Sequence, residues 1–496
     1  MRPAYYEENW LQLKQQASTD SLESLAQRIA SSFVDRYFYS DEYNSGYIHL
    51  LCDMATWFDD DSLNQIAARV LFGTVIERLC DDFEELQTET YNRLICQVVS
   101  FLRGLPGGKP LHDELNEFQL ETENQLYQRI EAIRLSPDEK LPSDLKPRKI
   151  ILLSRVTIGA DVAITSVIIQ RLRALFPAAK IAVVGNAKLG QVFSSESGTS
   201  IHELHYSRRG GLLERFLVWV DLLHEIRSEL DGFEQNEYLL LDPDSRLTQL
   251  GVLPLVHDRN YRFFNSRGKS GYPPKASITE LTNLWLDNIL GKGEFCYPKV
   301  WPPGESVAPA KRLRDSVCIN NDITLIAMNF GVGGNHRKMV GADFEIELVL
   351  SLLKYPDIRI ILDLGFGAEE QQRSDKILKA AENRGLSTAK LRYNQLSDEI
   401  KNCRLIGVEC SISEIASLIS QSNEFIGYDS ACQHIAAAQG IKTYTIFAGT
   451  NNVRFIRRWH ACGPATSEII YVDTISKEQH LENHEIIERL LDLRSN

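Results

Sequence analysis

Three short segments of this sequence combine glycine with charged residues in a spacing that suits chemistry. In the first, SRVTIGADVAIT (154–165), Gly159 allows a tight turn after an apolar strand. Asp161 then falls in the first turn of a predicted helix, where the helix dipole favours a charged carboxylate. Such a carboxylate can accept a proton from a hydroxyl group. The alternative, which the motif alone favours, is a structural residue at a helix start.

The second segment, MNFGVGGNHRKM (328–339), is rich in glycine and positive charge. Gly333 and Gly334 let the backbone approach a ligand closely, and Lys338 supplies an ammonium group. Glycines and cations beyond a parallel strand suit a diphosphate. The G-K-[ST] ending of a Walker A motif is missing. A flexible basic surface loop remains the alternative.

The third segment, FIGYDSACQHIAAAQG (425–440), predicts a strand followed directly by a helix. Asp429 ends the strand, and His434 lies one turn inside the helix. The first backbone N–H groups of such a helix form an anion site without any side chain. A structural cap and a core-facing histidine are the alternative. The N–H groups in question belong to Ser430, Ala431 and Cys432.

Two smaller features point to a nucleotide. Glu369, in Gly367-Ala368-Glu369, follows strand IRIILDLG, and an acid at such a strand end can accept hydrogen bonds from ribose hydroxyls. Cys410, Ser411 and Ile412 precede a helix and could form a small apolar wall for a base.

The elements that position these segments follow from hydrophobic periodicity. Residues 1–146 show helical spacing, whereas the rest alternates short apolar strands with helices, which predicts an α/β class with parallel sheets. Pro-rich stretches at 136–148 and 297–312 are expected to be linkers. Two βαβ lobes joined by a linker should face a cleft. The predicted domains are a helical domain (1–146), two α/β lobes (147–305 and 306–475) and a C-terminal helix (476–496).

Charge and cysteine content narrow the class of protein. The net charge of −13 lies entirely in residues 1–146, which hold 13 Lys+Arg and 26 Asp+Glu. This segment should repel nucleic acid, and it could meet a protein partner, mediate self-association or aid solubility. Nine scattered cysteines without a CxxC motif favour reduced thiols over disulfides or a metal site. With no apolar leader, a cytoplasmic protein is expected, with peripheral attachment to the inner membrane face left open.

From about residue 149 to 472 the chain resembles glycosyltransferase family 9, the ADP-heptose:lipopolysaccharide heptosyltransferases. The strongest piece is SISEIASLISQSNEFIGYDSACQHIAAAQGIKTYTIFAGTNN, and the other junctions follow in the family's order. The resemblance implies a GT-B fold of two Rossmann-like lobes and inverting, metal-independent catalysis. It also implies a nucleotide diphosphate sugar as co-substrate, with an ADP-sugar favoured and no cofactor.

The resemblance also implies roles for individual residues. Asp161 stands at the catalytic-base position and Lys338 at that of the basic residue on the donor phosphates. Glu369 matches the acid on the ribose, and Asp429 the residue on the donor sugar. The remaining donor-site positions are the glycines Gly333 and Gly334, the adenine-holding stretch Cys410, Ser411 and Ile412, the phosphate-facing helix start Ser430, Ala431 and Cys432, and the motif histidine His434.

The sequence departs from the family at four junctions. The family's Gly-Asp is Gly159-Ala160-Asp161 here, and the glycine after Asp-Ser/Thr is Ala431. The hydroxyl residues often found before the phosphate lysine are Gly333 and Gly334, and the Phe-Gly-Pro turn is Phe447-Ala448-Gly449.

The expected function is transfer of a sugar, heptose-like in the first instance, to a hydroxyl of a glycan, lipid-linked or protein acceptor. An epimerase or hydrolase of the same fold and a non-catalytic nucleotide-sugar-binding module are the alternatives.

Overall fold

A computed structural model of the chain describes most of its 496 residues. None of the helices in this described part is long and apolar enough to cross a membrane. The described residues are all except 81, 137–138, 207–209, 269–270, 319–321, 394, 396–399, 477–481 and 496.

The N-terminal segment is helical, as its periodicity predicts. Side-chain caps begin several helices: Ser18 accepts a hydrogen bond from Ser21 N, and Thr122 from Gln125 N. The helices are α1 (Pro3–Leu13), α2 (Thr19–Ser40), α3 (Ser45–Met54), α4 (Asp61–Val70) with a π-helical continuation Leu71–Ile76, α5 (Glu85–Arg103), α6 (Lys109–Glu117) and α7 (Glu123–Leu135).

A five-stranded sheet follows, in the order β3-β2-β1-β4-β5. The pairs β1–β4 and β4–β5 are parallel, and every residue of β1 is buried, as expected for a strand covered on both faces. Its strands are β1 (Lys149–Leu153), β2 (Lys180–Gly185), β3 (Thr199–Glu203), β4 (Tyr238–Asp242) and β5 (Tyr261–Phe263), and the helices of this region are α8 (Ile158–Ala160), the π-helical turn Asp161–Thr165, α9 (Ser166–Leu175), α10 (Leu212–Glu229) and α11 (Ile278–Leu290).

The second sheet has seven strands in the order β12-β11-β10-β6-β7-β9-β8, and all six neighbouring pairs are parallel. Its strands are β6 (Thr324–Asn329), β7 (Ile358–Asp363), β8 (Thr388–Arg392), β9 (Leu405–Glu409), β10 (Glu424–Tyr428), β11 (Lys442–Phe447) and β12 (Ser467–Tyr471). The helices are α12 (Gly304–Val317), α13 (Ala342–Leu352), α14 (Ala368–Asn383), α15 (Ile412–Ser420), α16 (Ala431–Ala438), α17 (Val453–Trp459) and α18 (Asn483–Ser495).

The predicted α/β class, with two parallel sheets after a helical segment, is therefore confirmed. One of the expected linkers is wrong in part: α12 begins at Gly304 inside the stretch 297–312 and continues through Pro309. Proline lacks only one backbone donor, so the other hydrogen bonds of the helix can form around it. The four predicted domain ranges stay predictions.

The chain forms two compact units. The first contains Met1–Val156, Ala182–Asn186 and His202–Tyr272, and the second contains Thr157–Ile181, Ala187–Ile201 and Pro273–Asn496. In the first unit one hydrophobic core joins the helical segment to the sheet: Trp10 and Leu94 belong to the same cluster as Leu240 and Trp219. The acidic segment is thus packed onto the α/β structure that follows it.

A buried ion cluster stabilises the first unit beyond the end of β4. Asp244 is fully buried, and its Oδ2 lies 3.1 Å from both Arg155 Nη1 and Arg267 Nε. Burial alone would raise the pKa of Asp244, but Arg267 and Arg155 outweigh it and hold that pKa below its usual range. The carboxylate is therefore charged in the folded protein and depends on both guanidinium groups.

We expect Arg267→Met to lower the free energy of unfolding by about 3–5 kcal/mol, because it removes one partner of a buried carboxylate. Urea unfolding at pH 7 measures this. The control is Arg148→Met, since Arg148 is mostly exposed and pairs with Glu237 at 2.9 Å; its cost should stay below about 1 kcal/mol. Equal costs for the two variants would contradict the assignment.

Candidate functional site

The predicted site residues of the second sheet lie at the carboxyl ends of its strands. The chain runs outward from β6 to β7 and β9, and then returns to build β10 and β11 on the other side of β6. The strand order therefore reverses between β6 and β10, and ligands of open parallel sheets bind at such a switch point. The segments after β6, β7, β9 and β10 carry the predicted donor-site residues.

Two of the predicted donor-site residues, Lys338 and Asp429, meet at this switch point. Lys338 Nζ lies 2.6 Å from Asp429 Oδ2 and also donates to the Asp429 carbonyl at 3.3 Å. The other carboxylate oxygen accepts from Gln433 Nε2 at 2.6 Å. Asp429 is nearly buried, whereas Lys338 keeps about a quarter of its side chain exposed. The aspartate thus holds the ammonium group at the strand ends.

Helix α16 begins directly behind this ion pair. Ser430 is its N-cap in an extended conformation, and the eight helical residues Ala431–Ala438 follow. The side chain of Ser430 makes no capping hydrogen bond within the helix. The first N–H groups of a helix have no intrahelical acceptor, so those of α16 suit an anion.

The loop after β6 has the conformation that its glycines allow. Gly333 and Gly334 have φ of +60° and +81°, and a short 3₁₀ helix, His336–Lys338, follows. The loop packs against the turn after β11, where a Cβ on Gly449 would lie 2.1 Å from the Arg337 carbonyl oxygen. Gly449 therefore fixes the backbone that carries Lys338.

Glu369 reaches the same edge from the loop after β7. It lies in the first turn of α14, and its Oε1 is 3.5 Å from His336 Nδ1, with both side chains mostly exposed. The acid predicted to contact a ribose is thus next to the basic loop.

The stretch 410–412 lies beyond β9 and is held on two sides. Ser411 is the N-cap of α15, and its backbone N–H donates to Glu414. Ile412 N donates to Gln191 Oε1 at 2.9 Å. Cys410 Sγ lies 3.5 Å from Asp363 Oδ1.

Two polar residues that the sequence motifs did not single out connect these junctions. Asn329 Nδ2 donates to Asp363 Oδ2 at 2.7 Å, and Ser430 Oγ donates to Asn329 Oδ1 at 3.4 Å. With Cys410 on the other oxygen of Asp363, a polar chain crosses the ends of β10, β6, β7 and β9. The signal was a polar residue as the last member of an apolar strand, in TLIAMN and IRIILD.

Asp161 is fully buried, and its Oδ1 accepts a hydrogen bond from Thr165 Oγ1 at 2.7 Å. The π-helical turn Asp161–Thr165 follows the extra residue Ala160. A single inserted residue is commonly absorbed as such a turn, often at functional sites. The structure thus shows how the helix accommodates Gly-Ala-Asp in place of Gly-Asp.

The Asp161 segment and α16 are in direct contact within the second unit. A Cβ built on Gly159 would lie 3.1 Å from Ala431 Cα and 3.2 Å from His434 Cδ2. The predicted base position therefore adjoins the helix start that is predicted to face the phosphates.

His434 is buried, and its Nδ1 has no hydrogen-bond partner among the described residues. Burial lowers the pKa of His434 to about 4, and Lys338 and His460 act in the same direction, against Asp429. The imidazole is therefore neutral at physiological pH. Its ring contacts Trp459 edge-on at a centroid distance of 6.0 Å.

One group in the described part of the chain brings three potential metal ligands together, and it lies in the first unit. His202, Glu225 and Glu229 place their ligand atoms within 4.8 Å of one another. His202 Nδ1 bonds Glu225 and Glu229 at 3.0 and 3.2 Å, and Lys149 also pairs with Glu229. These contacts form an ion-pair network, separate from the predicted site residues.

The model of "Glycosyltransferase family 9 (heptosyltransferase)" matches residues 370–485. This segment resembles family 9. The predicted resemblance to heptosyltransferase-like glycosyltransferases is thereby confirmed for residues 370–485. The matched segment contains Cys410, Asp429 and His434, whereas Asp161, Lys338 and Glu369 lie outside it.

Several solved structures are similar to this chain. A family 9 glycosyl transferase from Veillonella parvula has 15% identity and a TM-score of 0.48, over 71% of this chain and 98% of that one. The ADP-heptose lipopolysaccharide heptosyltransferase II of E. coli has 14% identity and a TM-score of 0.45, over 70% and 98%. E. coli heptosyltransferase WaaC, solved with ADP, has 12% identity and a TM-score of 0.43, over 69% of this chain and 99% of that one. Among curated proteins, no sequence matches this chain.

We expect Gly449→Ala to destabilise the protein by at least about 1 kcal/mol more than Gly333→Ala. Both glycines have positive φ, which costs an alanine roughly 1–2 kcal/mol. Only the methyl group at 449 would also meet backbone, since nothing lies within 4 Å of a Cβ on Gly333. Urea unfolding of the two variants measures the difference, and equal costs would show that the basic loop does not depend on Gly449.

We expect His434 to make the protein sensitive to acid. Because its folded pKa of about 4 lies below the unfolded value near 6.5, the unfolded state binds an extra proton between these values. Stability is therefore complete above pH 6.5 and falls by about 2–3 kcal/mol by pH 4.5. His434→Leu should lose that part of the decline in urea unfolding at several pH values. His257→Leu, at an exposed histidine, should keep the wild-type decline; equal declines in all three proteins would contradict the assignment.

Proposed function

We propose that the protein is an inverting, metal-independent glycosyltransferase that moves a sugar from a nucleotide diphosphate donor to a hydroxyl of a glycan, lipid-linked or protein acceptor. An ADP-sugar with a heptose-like sugar is the favoured donor, since the matching family model describes heptosyltransferases.

The observation that carries this proposal is the contact between the Asp161 segment and the start of α16. Gly159 lets the two backbones approach so closely that an added methyl group would lie 3.1 Å from Ala431 Cα. In a displacement, the base that deprotonates the acceptor and the site that binds the anionic leaving group must both lie close to the carbon that reacts. A structural cap alone at either junction would not require this proximity.

In this proposal the nucleotide sugar lies along the carboxyl ends of the strands of the second sheet. Lys338 and the N–H groups of α16 face the diphosphate, and Asp429 orients the ammonium group and contacts the sugar. Glu369 accepts from the ribose hydroxyls, and the stretch 410–412 lines the base. The salt bridge of 2.6 Å between Lys338 and Asp429 supports the first part, because it holds the cation beside the helix start.

The reaction is a single displacement. Asp161 takes the proton of the acceptor hydroxyl while its oxygen attacks the anomeric carbon from the face opposite the diphosphate. The bond from that carbon to the diphosphate oxygen breaks, and the configuration inverts. Lys338 and the α16 N–H groups stabilise the charge that develops on the leaving diphosphate, a contribution often worth several kcal/mol. These groups supply the positive charge that a metal ion provides in other transferases.

The proposal predicts that Asp161→Asn loses about 10²- to 10⁴-fold in turnover, because the amide cannot accept the proton. Binding of the donor should persist, since Asp161 acts on the acceptor. Turnover is measured by release of the nucleoside diphosphate in the presence of acceptor, and binding by the thermal shift that ADP-, GDP-, UDP- or dTDP-sugars produce.

The control is Asp375→Asn, at an exposed helical aspartate paired with Lys390; its turnover should equal that of the wild type. Full turnover by Asp161→Asn would refute the base assignment. Donor turnover without any acceptor would instead indicate an epimerase or hydrolase, and donor binding with no turnover in the wild type would indicate a binding module.

A further inference from the structure

Phe366 has the most exposed large hydrophobic side chain in the part of the chain that the structure describes. Its relative exposure is 89%, although it lies in the loop directly after the buried strand β7. Phenylalanine usually buries most of its large apolar surface. A single exposed apolar residue needs no explanation by itself. Whether the exposure of Phe366 has a function therefore depends on the residues around it.

The backbone at Phe366 is held in place while the ring is turned outward. Gly365 and Gly367 on either side have φ of +78° and +85°, which other residues rarely adopt. Phe366 N donates to Glu370 Oε2 at 2.8 Å. A Cβ on Gly365 would lie 2.6 Å from the same carboxylate oxygen, so the carboxylate fits only against glycine. The ring is therefore presented on a fixed loop.

The neighbours of the ring suit a flat, polar aromatic ligand. Lys188 Nζ lies 5.4 Å from the ring centroid, so a cation is already close to the ring. Glu369, the predicted ribose acceptor, follows three residues later, in the first turn of α14. Just beyond the neighbouring strand β9, Ile412 N donates to Gln191 Oε1, which fixes the stretch predicted to line the base.

The order of groups along the edge gives the direction of the ligand. The ion pair of Lys338 and Asp429 lies at β6 and β10, and His336 then connects the basic loop to Glu369 at 3.5 Å. Phe366 lies in the loop after β7, directly before the helix that carries Glu369. Diphosphate, ribose and base would therefore follow one another from the switch point to Phe366.

From this arrangement we propose that Phe366 is a stacking platform for the nucleobase of the donor, and so a residue that determines how tightly the nucleoside part is held. The inference rests on the proposed function, which it extends by a residue outside the family motifs. Every nucleobase offers a π-face, so the ring contributes affinity for the base without selecting its hydrogen-bonding edge.

The test compares ligands with and without a base. Isothermal titration with ADP, GDP and UDP first establishes which nucleoside diphosphate the wild-type protein binds, and inorganic pyrophosphate serves as the base-free probe. Phe366→Ala should weaken the chosen nucleotide roughly 5- to 100-fold, as loss of base stacking does. Phe366→Trp should stay within about threefold of wild type, because it restores an aromatic face. Pyrophosphate affinity should be unchanged in both.

The matched control is Tyr355→Ala. Tyr355 is an exposed aromatic residue just before β7, at the opposite end of the same strand. Nucleotide affinity should not change in this variant. Wild-type affinity in Phe366→Ala, or an equal loss for pyrophosphate and nucleotide, overturns the stacking role while the proposed function stands. Absence of binding of all three nucleotides to the wild type overturns the proposed function itself, and this inference with it.

Discussion

The site depends on one close contact between two backbones, that of Gly159 against Ala431 and His434. A glycine on one side and an alanine on the other bring the start of the Asp161 helix against the start of α16. Larger side chains at either position would separate the two junctions. The contact also fixes the backbone position of Gly159, so the helix must accommodate the extra residue Ala160 without displacing that glycine. The π-helical turn Asp161–Thr165 absorbs it on the far side of the contact.

The polar chain at the strand ends supports this contact from the sheet side. Asp363 is nearly buried, and burial raises its pKa, although Gly365 N and Asn329 donate to it and oppose the rise. Asn329 ends β6 and Gly365 lies in the loop after β7, so the carboxylate couples the positions of segments that are far apart in sequence. A ligand that binds these loops therefore meets a largely preformed edge, which lowers the entropic cost of ordering it.

Local patterns in the sequence were sufficient to predict many of the residues that meet at the edge of the second sheet. Strand ends marked by Asp429 and Glu369, and the glycines before Lys338, predicted which residues meet at one edge, because parallel strands place their carboxyl ends together. The salt bridge of Lys338 with Asp429 agrees with that expectation. The prediction of a linker at residues 297–312 was wrong in part. Proline and glycine are typical of linkers, but tertiary packing stabilises α12 even with Pro309 inside it.

Other features had no local signal. The contact of Gly159 with Ala431 joins residues some 270 positions apart, and only the folded chain shows it. Asn329 and Asp363 look like ordinary strand residues until their side chains are seen to bond each other. The exposure of Phe366 runs against its hydrophobicity, so periodicity alone would have assigned it to the core. Sequence patterns report the local environment of a residue, whereas these features arise from pairs of distant segments.

The shared core of the first unit has a consequence for how the protein can be divided. The Pro-rich stretch 136–148 separates the acidic helices from β1 in sequence, yet Trp10 and Leu94 lie in the same apolar cluster as Leu240. Cutting the chain there would leave two fragments that each expose a complementary apolar face. The two fragments would stay associated through these faces, and each would tend to aggregate if it were separated from the other. The boundary that the sequence makes visible is thus a place to cut the polypeptide chain, and not a place at which the folded protein comes apart.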